Sequence, residues 1–443
     1  MALASQIISP SQQFLLILRT HSLILICCFD LRIQMLSRIS SRSIRFFTSI
    51  SSVELTQHPK IGTCISLHLS NGKTDTNVQV PLIWFRDHCR SSNAYNHTTN
   101  QRKSKMLNLF EEARISDRSA VIYDAKQLSI NWANGHKTVF DSADLIKMLV
   151  KPKQKQPHDL YHLWNGSTIG KLPTVQNSSF SFPEFSQKFV EFGFVSVEGI
   201  EQTPEATEKF ARSIAPIHDT YYGAFWTFNN KAEQQENYHE DTAYSNEEIG
   251  PHTDGTYFPQ SPGIQVFHCL RPADRGGETV LVDAFAAAEK LKSQNPTAYQ
   301  ILTTTPIDHH YIEKGENPLF SWSPSKPVIE LSADGGYAQI RFNPYDRAPV
   351  RLSLNGGIGL STPEDVTAFY EAYQAFSRIC HDPSMAVKIQ LMPGTVIFID
   401  NLRVLHARTA FSGYRQMCGC YISRDNLMAK ARLHVGEETR LQV

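Results

Sequence analysis

Hydrophobic and polar positions follow two rhythms along this chain, and the change between them divides it. From about residue 53 to 150, short runs alternate in and out with period two, as in Gln127–Trp132 (QLSINW) and Lys137–Phe140 (KTVF), with polar turns between them. That pattern predicts a small β-rich domain over residues 52–150. The polar, proline-flanked run KPKQKQP that follows reads as a linker, placed at 151–174. Over residues 175–443 strands alternate with well-punctuated helices. Ser181-Phe-Pro-Glu184 has the form of a capping box, and its apolar stripe runs to Phe192 before Gly193. Thr203-Pro204 and Thr362-Pro363 open two more helices, the second with Val366, Phe369, Tyr370, Tyr373 and Phe376 at helical spacing, a stripe that reads as core. Strands are predicted at Phe194–Val197, Ile264–Leu270, Thr279–Val282, Tyr337–Phe342, Thr395–Ile399 and Met417–Ile422. Because they do not alternate regularly with helices, a parallel α/β sheet is disfavoured, and a mainly β, jelly-roll fold with flanking helices fits better.

Composition adds limits. With 41% hydrophobic residues and a formal net charge of zero, the chain can bury a large core, and nothing in its balance points to nucleic acid or a membrane as partner. Eight scattered cysteines do not form a disulfide framework and favour a reducing compartment. Residues 1–51 differ: Arg19, Arg32, Arg38, Arg42 and Arg45 stand against Asp30 alone up to residue 50, and the segment ends rich in serine. That is the composition of a mitochondrial transit peptide, with a secretory signal as the alternative because of the apolar run Leu23–Phe29. The run is too short to span a bilayer.

Two His-x-Asp pairs then raise the question of chemistry. His239-Glu-Asp241 lies in a polar run that reads as a solvated loop. His252-Thr-Asp254, in IGPHTDGTYF, lies between Gly250-Pro251 and the aromatic pair Tyr257-Phe258, and is the better ligand candidate. On a strand, residues two apart point to one side, so an imidazole and a carboxylate can share a metal. His406, in the segment after the strand TVIFID, offers a third ligand. Two histidines and one carboxylate leave open positions on the ion, as in non-haem Fe(II) oxygenases. Arg415, in FSGYRQMCGCY, is a half-buried arginine whose natural partner is a carboxylate. Together the four describe Fe(II) carrying a 2-oxo acid whose far carboxylate Arg415 clamps.

The stretches IGPHTDGTYF, GIQVFHCLRP, GGETVLVDAF, FIDNLRVLHAR and GYRQMCGCYISRDN resemble, in order, the Fe(II)/2-oxoglutarate dioxygenases of carnitine biosynthesis, the γ-butyrobetaine/trimethyllysine dioxygenase family. The resemblance runs from about residue 78 to 435. It implies a double-stranded β-helix, with His252, Asp254 and His406 as iron ligands and Arg415 and Thr279 on the 2-oxoglutarate. It also implies ascorbate as reductant and a homodimer. Tyr222, Trp226, Tyr244 and Tyr421 match the family's trimethylammonium cage, where aromatic faces hold a cation that has no N–H to donate. The family hydroxylates two such small molecules. Asp241, where the butyrobetaine enzyme has a neutral amide, would attract the α-ammonium of trimethyllysine and repel a plain carboxylate, which favours trimethyllysine, hydroxylated at C3, as substrate. Asn343, in RFNPYDR, is a candidate for the substrate carboxylate, with a turn-forming asparagine as the alternative.

The chain departs from the family in its N-terminal domain. Where many relatives hold zinc through three cysteines and a histidine, Cys89 and His136 remain but Ser91 and Ala94 replace the other ligands. One thiolate and one imidazole do not close a tetrahedral site, so structural zinc is expected to be absent. Cys418 and Cys420 share one face of a strand and read as a buried pair. Two other functions stay open at this level. A catalytically silent binding module is disfavoured by the intact ligand set, and an oxygenase of sulfonate or small-acid catabolism would leave the aromatic cage and Asp241 without a purpose.

Overall fold

A computed structural model describes residues 49–124, 126–150, 157–231, 242–314, 318–333, 335–353 and 360–440. The chain divides into two compact units, residues 1–153 and 154–443.

The first unit is built from short antiparallel pieces. Ser49–His58, Gly62–Ser70 and Asp75–Pro81 form one three-stranded sheet, and Val121–Tyr123, Gln127–Asn131 and Lys137–Asp141 form another. The alternation read from QLSINW is the burial pattern observed: Leu128, Ile130 and Trp132 join Ile65, Leu67, Phe85 and Phe140 in one core. The first strand begins at Ser49 with Ile50 buried, so the expected leader boundary after residue 51 falls inside a strand.

In the second unit, strand alternation decides the layers. A six-stranded sheet runs in the order Trp226–Asn229, Gln416–Ile422, Ile264–Arg271, Thr395–Asp400, Phe194–Glu198, Thr174–Gln176. A four-stranded sheet runs Ile249–His252, Val404–Arg408, Thr279–Asp283, Ala386–Ile389. Ile397 and Ile399 of the larger sheet meet Leu281, Val387 and Val404 of the smaller in a shared inner core. Their neighbours Val396 and Phe398 point the other way, into a layer containing Phe185, Phe189, Ala211 and Leu427 from three helices. The outer face of the smaller sheet, through Val282 and Leu405, is covered by Phe285, Leu302, Phe369 and Phe376 from three more. Two facing sheets, antiparallel but for the edge strand Thr174–Gln176, between helical layers are the jelly-roll architecture expected.

Local signals held at the helix ends, with some corrections. The helix Phe182–Phe192 is capped by Ser181, which accepts from the Glu184 N–H, and stops at Gly193 with φ 77°. The return half of a capping box is not described there; the Glu184 carboxylate instead pairs with Lys188 at 2.6 Å, one turn on. The full box forms at Thr362 and Asp365, opening Pro363–Cys380. On that helix Phe369, Tyr373 and Phe376 are buried, whereas Tyr370 is exposed, because its position has rotated off the stripe toward Arg347. The stretch expected to be a linker is shorter than 151–174. Trp164 is fully buried in the inner core and its indole N–H donates to the Phe192 carbonyl, so the chain is already packed there.

One buried histidine makes this fold acid-sensitive. His268 is fully buried, its Nδ1 lies 2.7 Å from Thr207 Oγ, and its Nε2 accepts from the Gly394 N–H at 2.9 Å. Thr207 spends its own proton on the Thr203 carbonyl, so it accepts from His268 Nδ1–H and the ring is held neutral. Burial pushes its pKa down from 6.5 to about 4. The stabilisation is therefore complete above pH 6.5 and lost as pH falls toward 4, by about 3 kcal/mol at the lower limit. Urea unfolding at pH 7 and pH 4.5 should show this loss in the wild type and a smaller one in His268→Asn.

Candidate active site

The site begins with one strand pairing. His252 lies directly opposite His406 on adjacent antiparallel strands, and the two rings stand 4.4 Å apart between centroids. Two residues on, Asp254 turns back toward both. Its Oδ1 lies 3.2 Å from His252 Nε2 and 3.3 Å from His406 Nε2. Gly255, at φ 62°, makes that turn possible, since a Cβ there would sit 2.4 Å from Pro262 Cδ. The fully buried Asn401 fastens it: its Oδ1 accepts from the Asp254 N–H, and its Nδ2 donates to the carbonyls of Asp254 and Pro262.

These three residues suit a divalent ion. His252 Nδ1 lies 2.8 Å from the Gly250 carbonyl, which can only accept, so Nδ1 holds the proton and Nε2 presents its lone pair. Burial would raise the Asp254 carboxyl, but His406 and His252 outweigh it and hold the group well below the usual carboxylate range. Burial keeps the His406 ring easily deprotonated. Burial would lower the proton affinity of His252, but Asp254 and the Gly250 carbonyl outweigh it and raise it, so an ion would take the place of the proton between His252 Nε2 and Asp254; with that proton gone the set offers one anion and two imidazole lone pairs. Two metal–ligand bonds of roughly 2.1 Å at right angles end about 3 Å apart, which is the spacing observed here. Among the described residues this is the one such cluster of histidine, cysteine and acidic side chains.

The cluster opens into a cavity of about 340 Å³ between the two sheets. Thr279 and Arg415 line it together. Arg415 is buried, burial lowers its pKa, and no ion pair to it occurs among the described residues. Gly277, at φ 75°, leaves the space beside it: a Cβ there would stand 3.3 Å from Arg415 Cδ. A buried guanidinium facing a cavity is a receptor for an anion from outside the chain.

All four expected cage aromatics line the same cavity, each braced by another aromatic. Trp226 meets Tyr421 edge-on at 5.4 Å, and it packs over Gly419, where a Cβ would come within 2.5 Å of the indole. Tyr244 packs on Phe228 at 6.1 Å, and Tyr222 shares a 2.6 Å hydroxyl contact with Tyr257. Tyr421 does more than offer a ring: its hydroxyl donates to Asp254 Oδ2 at 3.0 Å, leaving Oδ1 for the imidazoles. Asn343 also lines the cavity, but its amide is heavily committed, with Oδ1 accepting from the N–H groups of Tyr345 and Asp346 and Nδ2 donating to Asp346 and the Thr253 carbonyl. Asp241 and the pair His239-Glu-Asp241 lie outside the described residues.

Residues 162–421 match the family described as Taurine catabolism dioxygenase TauD, TfdA family. The chain belongs to this dioxygenase family. Among its relatives, the mitochondrial trimethyllysine dioxygenase of Gallus gallus is 35% identical over 383 residues, covering 83% of this chain and 86% of the relative. The Homo sapiens trimethyllysine dioxygenase is 34% identical, covering 83% and 85%. The γ-butyrobetaine dioxygenase of Homo sapiens is 28% identical, covering 80% and 90%.

Several residues of this dioxygenase site escape a reading of the sequence. Arg408 donates to the carbonyls of Ala243 and Glu247 and so holds the turn that carries Tyr244. A signal existed, since it stands two residues after His406 and hence on the same strand face. Asn401 follows directly on the strand TVIFID, but its partners are 139 and 147 positions away. In the first unit, the positions compared with a zinc site do gather: Cys89 Sγ and Ser91 Oγ each lie 3.2 Å from His136 Nε2. A hydroxyl stands there where a closed zinc site uses a thiolate.

Anaerobic titration of the purified chain with Fe(II) is expected to give one tight site. In His252→Ala that site should be lost while urea unfolding at neutral pH changes little; undiminished iron affinity would remove His252 from the ligand set.

Proposed function

We propose that this chain hydroxylates free N6,N6,N6-trimethyllysine at C3, the first step of carnitine biosynthesis, using Fe(II), 2-oxoglutarate and dioxygen. The observation that carries the reading is one cavity holding the His252, Asp254 and His406 cluster, a buried Arg415, and a wall of aromatic rings. The relatives at 34–35% identity support the choice of substrate.

His252 Nε2, Asp254 Oδ1 and His406 Nε2 would hold the iron, and Tyr421 and Asn401 keep the carboxylate turned toward it. When bound, Fe(II) with 2-oxoglutarate supplies the oxidation: dioxygen is consumed, 2-oxoglutarate becomes succinate and carbon dioxide, and one oxygen atom enters a C–H bond of the substrate. Arg415 binds the far carboxylate of 2-oxoglutarate, with Thr279 beside it. Tyr222, Trp226, Tyr244 and Tyr421 hold the trimethylammonium by cation–π attraction, worth about 0.5–2 kcal/mol per ring when desolvated. Asp241 and the turn at Asn343 are assigned to the amino-acid end. The rest of the chain's contribution is positioning and exclusion of water.

The basic leader and the relatives named as mitochondrial support a mitochondrial matrix location, with the leader acting as a transit peptide. A homodimer, ascorbate as reductant, and an N-terminal domain without zinc complete the reading.

A paired assay tests it. With Fe(II), 2-oxoglutarate and ascorbate, trimethyllysine should gain one oxygen and γ-butyrobetaine little; the reverse preference would keep the iron site and overturn the substrate. Asp241→Asn should reduce turnover of trimethyllysine far more than that of γ-butyrobetaine, and equal losses would remove Asp241 from selectivity. Arg415→Gln should raise the KM for 2-oxoglutarate roughly ten- to hundredfold, the value of a charge-assisted pair.

A further inference from the structure

The cavity contains a carboxylate that the proposed chemistry leaves unused. Two described acids line it, Asp254 in the metal cluster and Asp346. Asp346 is half-buried and held on several sides. Its Oδ2 accepts from Asn343 Nδ2 at 2.6 Å, its N–H donates to Asn343 Oδ1 at 3.3 Å, and its carbonyl accepts from the His310 N–H at 2.9 Å. Asn343 is itself 4% exposed and its remaining donor is 3.3 Å from the carbonyl of Thr253, the residue between His252 and Asp254. The carboxylate is thereby tied to the backbone that carries two of the metal ligands.

Asp346 lines the same cavity as the metal cluster and the four cage aromatics. A carboxylate so placed attracts a cation, and the two cationic ends of trimethyllysine differ in what they ask for. The trimethylammonium has no N–H and is served by aromatic faces, whereas the α-ammonium has three N–H groups and is served by carboxylates. Hydroxylation at C3 places the reacting carbon one bond from the α-carbon. The α-ammonium must therefore lie close to the metal cluster, and the Asn343 link to Thr253 holds Asp346 near that cluster.

We infer that Asp346 receives the α-ammonium of the substrate, and that Asn343 acts as a positioning residue, holding the Asp346 carboxylate rather than binding the substrate carboxylate itself. The inference rests on the trimethyllysine reading above. It adds a second acid to that end of the substrate. Asn343 has little left to offer a carboxylate, because its two donors already face Asp346 and Thr253.

The test is anaerobic calorimetric binding to the full chain loaded with Fe(II) and 2-oxoglutarate. The ligands are trimethyllysine and 6-(trimethylammonio)hexanoate, which lacks only the α-ammonium. Asp346→Asn should weaken trimethyllysine roughly ten- to hundredfold and the desamino ligand little, so that the ratio of the two affinities collapses. Asn343→Ala should lower the same ratio, less steeply, and Asp346→Glu should restore part of it. The ratio is taken within each variant, so a partly unfolded preparation does not mimic the effect. Equal weakening of both ligands, or an unchanged ratio, would overturn the inference while leaving the substrate reading in place. A wild-type chain that binds the desamino ligand as tightly as trimethyllysine would overturn both.

Discussion

The site depends on a single cross-strand pairing, His252 opposite His406, with Asp254 folded back between them. Strand register fixes it: a slip of one residue would turn either histidine to the other face of its sheet. The pairing also carries a cost, since it takes a carboxylate and two imidazoles largely out of water. Several devices keep that arrangement from relaxing. Gly255 permits the turn, Asn401 clips the backbone on both sides of Asp254, and the Tyr421 hydroxyl fixes the outward oxygen. A divalent ion would offset these desolvation costs with ligand bonds, so metal affinity and local order are expected to be linked.

From that point the cavity is arranged by charge. Arg415 gives the cavity a buried cation, and Asp346 gives it an anion beyond the metal cluster's own. The aromatic rings between and around them are apolar faces that suit a quaternary ammonium. Arg408 belongs to the same logic at one remove: its guanidinium is spent on the backbone of the turn that presents Tyr244.

Periodicity made most of the framework legible. The strands Phe194–Glu198, Ile264–Arg271, Thr279–Asp283, Thr395–Asp400 and Gln416–Ile422 all appear with ends within a residue or so of their hydrophobic runs, because each alternates between an inner and an outer core. Helix starts were readable from Ser181, Thr203 and Thr362, whose caps are local chemistry. The gathering of His252, Asp254 and His406 was readable because a His-x-Asp spacing, a distant histidine and a buried arginine have few other joint uses. The remainder turns on contacts distant in sequence. Trp164 looks like part of a polar linker until Phe192 is seen beside it, and Asn401 is one asparagine among many until the Asp254 backbone meets it. For Asn343, a candidate for the substrate carboxylate, the structure adds the hydrogen-bond partners of its amide, which the sequence does not show.

The most direct test of the account is a diffraction experiment on crystals grown anaerobically with Fe(II) and 2-oxoglutarate, with an anomalous map collected at the iron edge. The account predicts one strong peak within bonding distance of His252 Nε2, His406 Nε2 and an Asp254 oxygen, with the far carboxylate of 2-oxoglutarate on Arg415. A peak elsewhere, or 2-oxoglutarate bound without contact to Arg415, would contradict it.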